Sequence, residues 1–323
     1  MKKSLLALLI ASVIPAAAFA DVVVYGKANL SVQNADEAEE SKLELVSNAS
    51  RIGVKGSEEI NSGLKAIYQF EYQTEVDDGA GGSSNQTFTQ RNIYVGLQGS
   101  GGTIIGGHFD TPVKTAQEKV DLFNDLEGDI NYLVDGETRS KNIVQYTTPA
   151  SWGAFAINIA GVAAENNAAD DGVSASVTYT TPAFYVALAA EQDVSAQTMD
   201  ILRLVGRYTV GPVQLGALFE QSSVSASVAG TAVDLDSDAW LVSAKYNATD
   251  KFALKAQYGD AGMDVTAGGL VVDAGGDSLS LGADYLLSKN TTLFGYYTQE
   301  TAEVDSDEVV DDNWIGVGID LKF

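Results

Sequence analysis

The chain has 323 residues, with 44 Asp and Glu against 19 Lys and Arg for a formal net charge of −25, one histidine and no cysteine. The missing cysteine excludes a disulfide framework and any thiolate metal site, while the lone His108 excludes multi-histidine metal centres and leaves a serine–histidine–aspartate triad a single possible base. So acidic a surface is unsuited to nucleic acid.

Residues 1–20, MKKSLLALLIASVIPAAAFA, carry two lysines, an apolar run over 5–14, and Ala18-Phe19-Ala20 as a small-x-small cleavage signal before Asp21. This is the pattern of a secretory signal peptide, whose removal leaves 21–323 as a single domain and takes the charge to −27. No later stretch of 18 apolar residues exists, so no transmembrane helix is expected. A closed β-barrel can still cross a membrane, because its strands satisfy each other's backbone groups and show only short alternating segments.

Such alternation recurs along the chain. In GLKAIYQFEY (63–72), Leu64, Ala66, Tyr68 and Phe70 share a face opposite Lys65, Gln69 and Glu71. VSASVTYT sets Val173, Ala175, Val177 and Tyr179 against Ser174, Ser176 and Thr178, and VQLGALFE, FALKAQY and SLSLGADYLL repeat the scheme. The period of two persists through Gly, Thr and Val, which argues for strands and against helices. Sixteen strands are predicted, at 22–32, 43–56, 64–74, 88–98, 103–108, 140–147, 153–162, 172–180, 183–192, 200–209, 213–222, 238–247, 251–260, 278–287, 292–300 and 313–323. The fold class is all-β.

Five tight connections follow a tyrosine that closes a strand: Tyr146, Tyr179, Tyr208, Tyr246 and Tyr285. The other connections read as longer acidic loops, at 34–41, 74–86, 163–172, 230–238, 260–277 and 300–313. Short turns at one end and long polar loops at the other describe a transmembrane antiparallel barrel, with tyrosines as an aromatic girdle. In the final WIGVGIDLKF, Ile315, Val317, Ile319, Leu321 and Phe323 share one parity. Phe323 is therefore expected to close the barrel by pairing with the first strand near Val24, leaving no edge in lipid.

One stretch, 108–139, breaks the alternation. It carries Val120, Phe123 and Leu126 together with Asp110, Glu118, Asp121, Asp125, Glu127 and Asp129, against only Lys114 and Lys119. Loops this long are usually functional. Its pattern leaves two readings open: a solvated external loop, or a loop turned into the barrel.

The segments SRIGVKGSEEINSGLKAIYQFEYQTEV, RNIYVGLQGSGGTIIGGHFDTP and RSKNIVQYTTP, together with the C-terminal aromatic strand, resemble in order and spacing the Gram-negative general-diffusion porins. The resemblance implies a trimeric 16-stranded barrel whose third loop, here 108–139, folds into the lumen and narrows it. It also implies an arginine ladder on the wall facing acids on that loop. The matching wall positions are Arg51, Arg91 and Arg139, with Lys55 on the parity of Arg51. Parity agrees for Arg51, opposite Ile52 and Val54, and for Arg139, opposite Val144 and Tyr146. It disagrees for Arg91, which shares the parity of Ile93, Val95 and Leu97. The Pro-Glu-Phe-Gly-Gly segment of some inward loops is absent, so Glu118, Asp121 and Asp125 are taken as the constriction acids from their mid-loop position.

The function implied is an outer-membrane, water-filled channel for passive diffusion of ions and small hydrophilic solutes, with mild cation preference from the acidic balance. No cofactor and no metal centre are expected. The expected partners are two further copies of the chain in a homotrimer, membrane lipid, and lipopolysaccharide with shared divalent cations. A substrate-specific channel and a non-conducting adhesin or structural barrel are the alternatives. An outer-membrane enzyme would have to use His108, which no Ser or Asp motif frames.

Overall fold

The computed structural model describes residues 22–38, 40–77, 88–165, 170–228 and 230–323. The proposed signal peptide 1–20 lies outside these residues, as do 78–87 and 166–169 from two of the expected loops. Among the described residues there are seventeen strand segments: β1 (Val23–Glu37), β2 (Glu40–Ser47), β3 (Arg51–Asn61), β4 (Leu64–Thr74), β5 (Phe88–Gly99), β6 (Gly102–Asp110), β7 (Arg139–Thr147), β8 (Phe155–Val162), β9 (Gly172–Thr180), β10 (Phe184–Gln192), β11 (Met199–Val210), β12 (Val213–Val228), β13 (Thr231–Asn247), β14 (Phe252–Ala267), β15 (Leu270–Ser288), β16 (Thr291–Val304) and β17 (Asp307–Lys322). β2 and β3 are two halves of one barrel strand. Both pair with β1, and a three-residue kink at Asn48–Ser50, with Ala49 at φ 46°, separates them. The barrel therefore has sixteen antiparallel strands, and it is closed by β1 against β17 from Lys27↔Lys322 to Asp36↔Asn313. The chain end completes this seam: the Phe323 amide donates to the Gly26 carbonyl at 3.1 Å, and Gly26 returns the bond at 2.9 Å.

Alternation sets the two faces of the wall. Along β11 the outer face reads Leu202, Leu204, Gly206 and Tyr208, while the opposite face carries Arg203, Val205 and Arg207. β10 alternates in the same way, with exposed Phe184, Val186 and Leu188 against buried Tyr185, Ala187 and Ala189. An unbroken band of exposed Val, Leu and Phe would be an aggregation hazard in water and is the expected covering of a barrel in lipid.

Several expected acidic loops are strand instead. β1 runs on to Glu37, and most of 230–238 belongs to β13. The stretch 260–277 is a hairpin of β14 and β15 turning at Gly268 and Gly269, whose φ of 58° and 86° suit a two-residue hairpin turn. Likewise, 300–313 turns at Asp305 and Ser306, both at positive φ. Asp and Gly look like loop residues one at a time, yet the pairing Asp264↔Asp273 continues the ladder with Val265↔Val272.

Candidate pore site

Between β6 and β7 the chain leaves the wall for residues 111–138. Local chemistry shapes the segment. Thr111 caps a single helical turn, Pro112–Thr115, by accepting from the Lys114 amide at 3.2 Å, with Pro112 at the first helical position where its missing N–H costs nothing. Asp129 caps a second short turn at Ile130–Tyr132, accepting from the amides of Asn131 (3.0 Å) and Asp125 (2.8 Å).

Val113, Val120, Phe123 and Ile130 of the segment are fully buried against the wall face opposite the outer band. Val113, Val120 and Ile130 meet Tyr185, Ala187, Ile201, Leu218 and Leu241 from β10 to β13, while Phe123 joins Phe294, Tyr296 and Trp314. The wall makes room for them with glycine. A Cβ on Gly282 would stand 2.9 Å from the Phe123 ring, and one on Gly259 would collide with Leu133. Polar anchors complete the contact: Ser243 donates to Val120 O (2.6 Å), Gln257 accepts from the Leu122 amide (2.8 Å) and Tyr132 donates to Thr301 O (2.9 Å).

Both ends of the segment are held by one guanidinium. Arg203, wholly buried, donates to Glu220 Oε2 at 2.6 Å, to Glu137 Oε1 at 2.7 Å and to Val113 O at 3.2 Å. The second oxygen of Glu220 accepts from the amides of Asp135 (2.7 Å) and Gly136 (3.0 Å). Burial raises the Glu137 carboxyl above its ordinary value, although Arg203 and Lys114 work against it.

A space of about 510 Å³ separates the segment from the wall at β3 to β7. Arg51, Arg91, Asn92 and Arg139 line it from the wall with Glu71 and Asp110; Lys114, Glu118, Asp125, Asp129 and Glu137 line it from the segment. Asp125 reaches the wall itself, meeting Arg51 at 2.7 Å and Lys27 at 2.8 Å, with Arg91 3.9 Å from its other oxygen. Burial works to raise its carboxyl, but Lys27 and Arg51 outweigh it and the group lies below its ordinary value. Arg91 pairs with Glu71 (3.3 Å) and Gln73 (2.7 Å), and Arg139 with Asp110 (2.9 Å) and Asn92 (3.2 Å).

The wrong parity of Arg91 has a local cause. The β4–β5 register runs through Phe70↔Ile93 and resumes at Tyr72↔Gln90, so Arg91 and Asn92 together oppose Glu71. This is a β-bulge, and it re-aims Arg91 to the side of the wall that Asn92 already faces. Of the residues expected from sequence, the structure brings Arg51, Arg91, Arg139, Glu118 and Asp125 to the same space. Lys55 stays out of it, exposed with its ammonium 5.1 Å from the Tyr25 ring. Asp121 also departs from expectation. It is buried, accepting from the amides of Phe123 (2.9 Å) and Ile130 (3.2 Å) and from Gln257 (3.2 Å), and so it folds the segment instead of lining the space. Burial, aided by Asp129, pushes its carboxyl up to about 7. Glu118 is paired with Arg207 at 2.9 Å.

Sequence reasoning missed Lys27, Glu71, Lys114, Asp129 and Glu137 as lining or pairing groups. For Lys27 the signal was present, since Lys27, Asn29, Ser31 and Gln33 are polar at every second position of β1. Comparison with known proteins decides the family: the profile described as Gram-negative porin matches residues 5–305. The chain belongs to the Gram-negative porins. As a porin it is an outer-membrane β-barrel. It is 26% identical over 321 residues to outer membrane porin protein 32 of Delftia acidovorans, covering 91% of this chain and 88% of that one. It is 35% identical to the major outer membrane protein P.IB of Neisseria gonorrhoeae over 132 residues, which is 38% of this chain and 36% of that protein. The match thus spans only about a third of that relative's length. Among solved structures, the anion-selective porin from Comamonas acidovorans superposes with a TM-score of 0.78 at 21% identity, covering 94% of this porin and 100% of that chain. The trimer form of OmpT from Vibrio cholerae gives 0.70 at 18% identity, covering 94% of this porin and 99% of that chain.

Proposed function

We propose that this porin is a homotrimeric diffusion channel whose segment 111–138 lies inside the lumen and narrows it, with residues 1–20 removed on export. The observation that carries the reading is the space bounded by wall arginines on one side and segment acids on the other. Charges of opposite sign across a narrow aqueous passage make a transverse field that orients water and dipolar solutes and penalises apolar ones. The reading rests on Arg51, Arg91 and Arg139 for the wall and on Asp125, Glu118, Asp129 and Glu137 for the segment. Trimeric assembly is supported by the likeness to a barrel described in trimer form.

The lining holds six acids and four bases, and the wall arginines are partly neutralised by Glu71 and Asp110 beside them. Mild cation preference follows. The likeness to a porin named anion-selective does not bear on this, because selectivity depends on individual side chains and not on the fold. Contact with lipopolysaccharide through divalent cations would be diffuse, since no group of three acidic or histidine ligands converges among the described residues.

Single-channel recording of the purified protein in a planar bilayer under a KCl gradient tests the reading. Openings that close in three steps, with a modest reversal potential on the cation side, are expected. Absence of conductance from a folded barrel would turn the conclusion toward a structural or adhesive barrel. A reversal potential on the anion side would overturn the cation preference alone.

A further inference from the structure

The lone His108 is absent from the charged space beside the segment and lines a separate cavity of about 350 Å³ at the loop ends of β6 to β10. The registers Gly107↔Ile143, Ile143↔Val162 and Val162↔Gly172 carry one row across β6 to β9, and Asp193 follows Gln192, which pairs with Val173 next to that row. Basic and acidic groups are thereby sorted to opposite flanks. Arg139 and Lys141, with His108, come from β6 and β7, whereas Asp170 precedes β9 and Asp193 follows β10. Between the flanks the lining is mixed, with Thr138, Ser140 and Gln197 beside the apolar Val162, Ala163, Ala164 and Val194. Its size is that of a small-ligand pocket, which combines an apolar body with a few placed polar groups.

The charges on both flanks are open to a ligand. Lys141 and Asp170 are exposed, and among the described residues neither they nor Asp193 make an ion pair. Arg139 is shared: it holds Asp110 at 2.9 Å and lines both this cavity and the charged space beside the segment. Asp193 is held in place, with φ at 55°, its amide donating to Met199 O at 2.9 Å and one carboxylate oxygen accepting from the Thr198 amide at 2.6 Å. Gly172 admits this turn, since a Cβ there would stand 2.6 Å from Asp193 O. The second carboxylate oxygen of Asp193 accepts no hydrogen bond. From β7 to β10 is three strand spacings, about 14 Å at the backbone, which the reach of the side chains shortens. A single amino acid carries both charges on one carbon and cannot meet both flanks. An extended chain of two or three residues spans about 7–11 Å and can.

We propose that this cavity binds short peptides in extended form, the C-terminal carboxylate toward Lys141, Arg139 and His108 and the N-terminal ammonium toward Asp193 and Asp170. The peptide's amides then lie along Thr138, Ser140 and Gln197, and its small side chains along Val162 and Val194. The inference rests on the channel reading for the solute's onward route but not for its binding. Because Arg139 lines both spaces, a peptide released from the cavity would leave its carboxylate beside the first charge of the passage.

The test is calorimetric titration of the detergent-solubilised protein with triglycine, alongside glycine, N-acetyltriglycine, which lacks the ammonium, and triglycinamide, which lacks the carboxylate. Binding of triglycine is expected, with the other three at least about fivefold weaker, as loss of one charge pair at a partly wet site predicts. Lys141→Gln and Asp193→Asn should each weaken triglycine about threefold with heat-modifiability of the barrel unchanged; asparagine keeps an acceptor for the Thr198 amide. The two ends are told apart by a cycle of variant against ligand. Lys141→Gln should leave triglycinamide unaffected, and Asp193→Asn should leave N-acetyltriglycine unaffected. Asp170→Asn replaces the second variant should it not fold, with the same expected pattern. Equal binding of triglycine and either blocked peptide, wild-type binding by both variants, or the reverse pattern in the cycle overturns the site. Conductance in KCl without peptide is recorded on the same preparation. A conducting barrel that binds no triglycine refutes the site alone, and binding without conductance refutes the channel alone.

Discussion

Two of the charged ties between segment 111–138 and the barrel behave differently, because water reaches one much less than the other. At β11 and β12, Arg203, Glu220 and Glu137 are buried together, with side-chain exposures of 0, 2 and 8%. At β1 and β3, Asp125 meets Lys27 and Arg51, whose side chains are 13 and 21% exposed and border the open space. Both join carboxylates to basic side chains. Taking an ion pair out of water costs several kcal/mol per ion, and mutual attraction restores that only with complete hydrogen bonding. The first cluster approaches this through Val113 O and the amides of Asp135 and Gly136, with Arg203 Nη2 left unpaired, and so it works as a fastening. The second keeps solvent at its edge, so its field extends into the passage.

The largest effect should come from breaking the dry fastening. Arg203→Met leaves Glu220 buried without a cation and Glu137 with Lys114 alone, at 3.5 Å, at a cost of about 3–5 kcal/mol. A fall in the heat-modification midpoint and new protease cleavage within 111–138 are expected. Adding Glu137→Leu and Glu220→Gln removes the orphaned charges while keeping an acceptor for Asp135 and Gly136. That triple variant should recover more than half of the loss. No recovery would mean the cluster is held by its shape and not by its charge balance.

The second effect concerns pH. Asp121, buried between Phe123, Ile130 and Gln257, has a carboxyl pushed up to about 7 by burial and by Asp129. A group raised in the folded state contributes stability that is complete below its unfolded pKa, near 3.9. That contribution is lost as pH rises through the folded value of about 7. The segment's amide protection factors, corrected for the intrinsic pH dependence of exchange, should therefore be higher at about pH 5 than at about pH 8, and Asp121→Asn should flatten the difference. An unchanged pH profile in that variant would assign the effect to other acids.

The strands were legible because a period of two survives any choice of outer side chain, and the closing role of Phe323 followed from it. What was not legible required a partner. The hairpin at 260–277 was mistaken for a loop because Asp264 and Asp273 are turn-like singly, and only their mutual register shows a ladder. The bulge at Arg91 and Asn92 exists only relative to Glu71 on the next strand. Within the segment, spacing alone could not say that Asp121 would fold it while Asp125 would face the passage, because the distinction lies in which wall side chain each one meets. The glycines at 259 and 282 sit on the strand face that receives the segment, and their role exists only relative to Leu133 and Phe123 on it.

The smallest effects belong to the wet side, where charge acts on ions more than on stability. Asp125→Asn keeps an acceptor for Arg51 but removes one negative charge beside Lys27, Arg51 and Arg91. The reversal potential should move toward anions, while stability falls by about 1.5–3 kcal/mol, the usual worth of a hydrogen bond to a charged group. Glu118→Gln is its control. Glu118 also lines the space, but its partner Arg207 lies on β11, away from the wall arginines, and its own side chain is 26% exposed. A pair so open to water is worth about 0.2–1 kcal/mol, so no measurable loss of stability is expected. The reversal potential should move in the same direction by less, because the charge removed does not face Arg51 and Arg91. If Glu118→Gln shifted selectivity as much as Asp125→Asn, the passage would be responding to its total charge, and the particular pairing of Asp125 with the wall would lose its role.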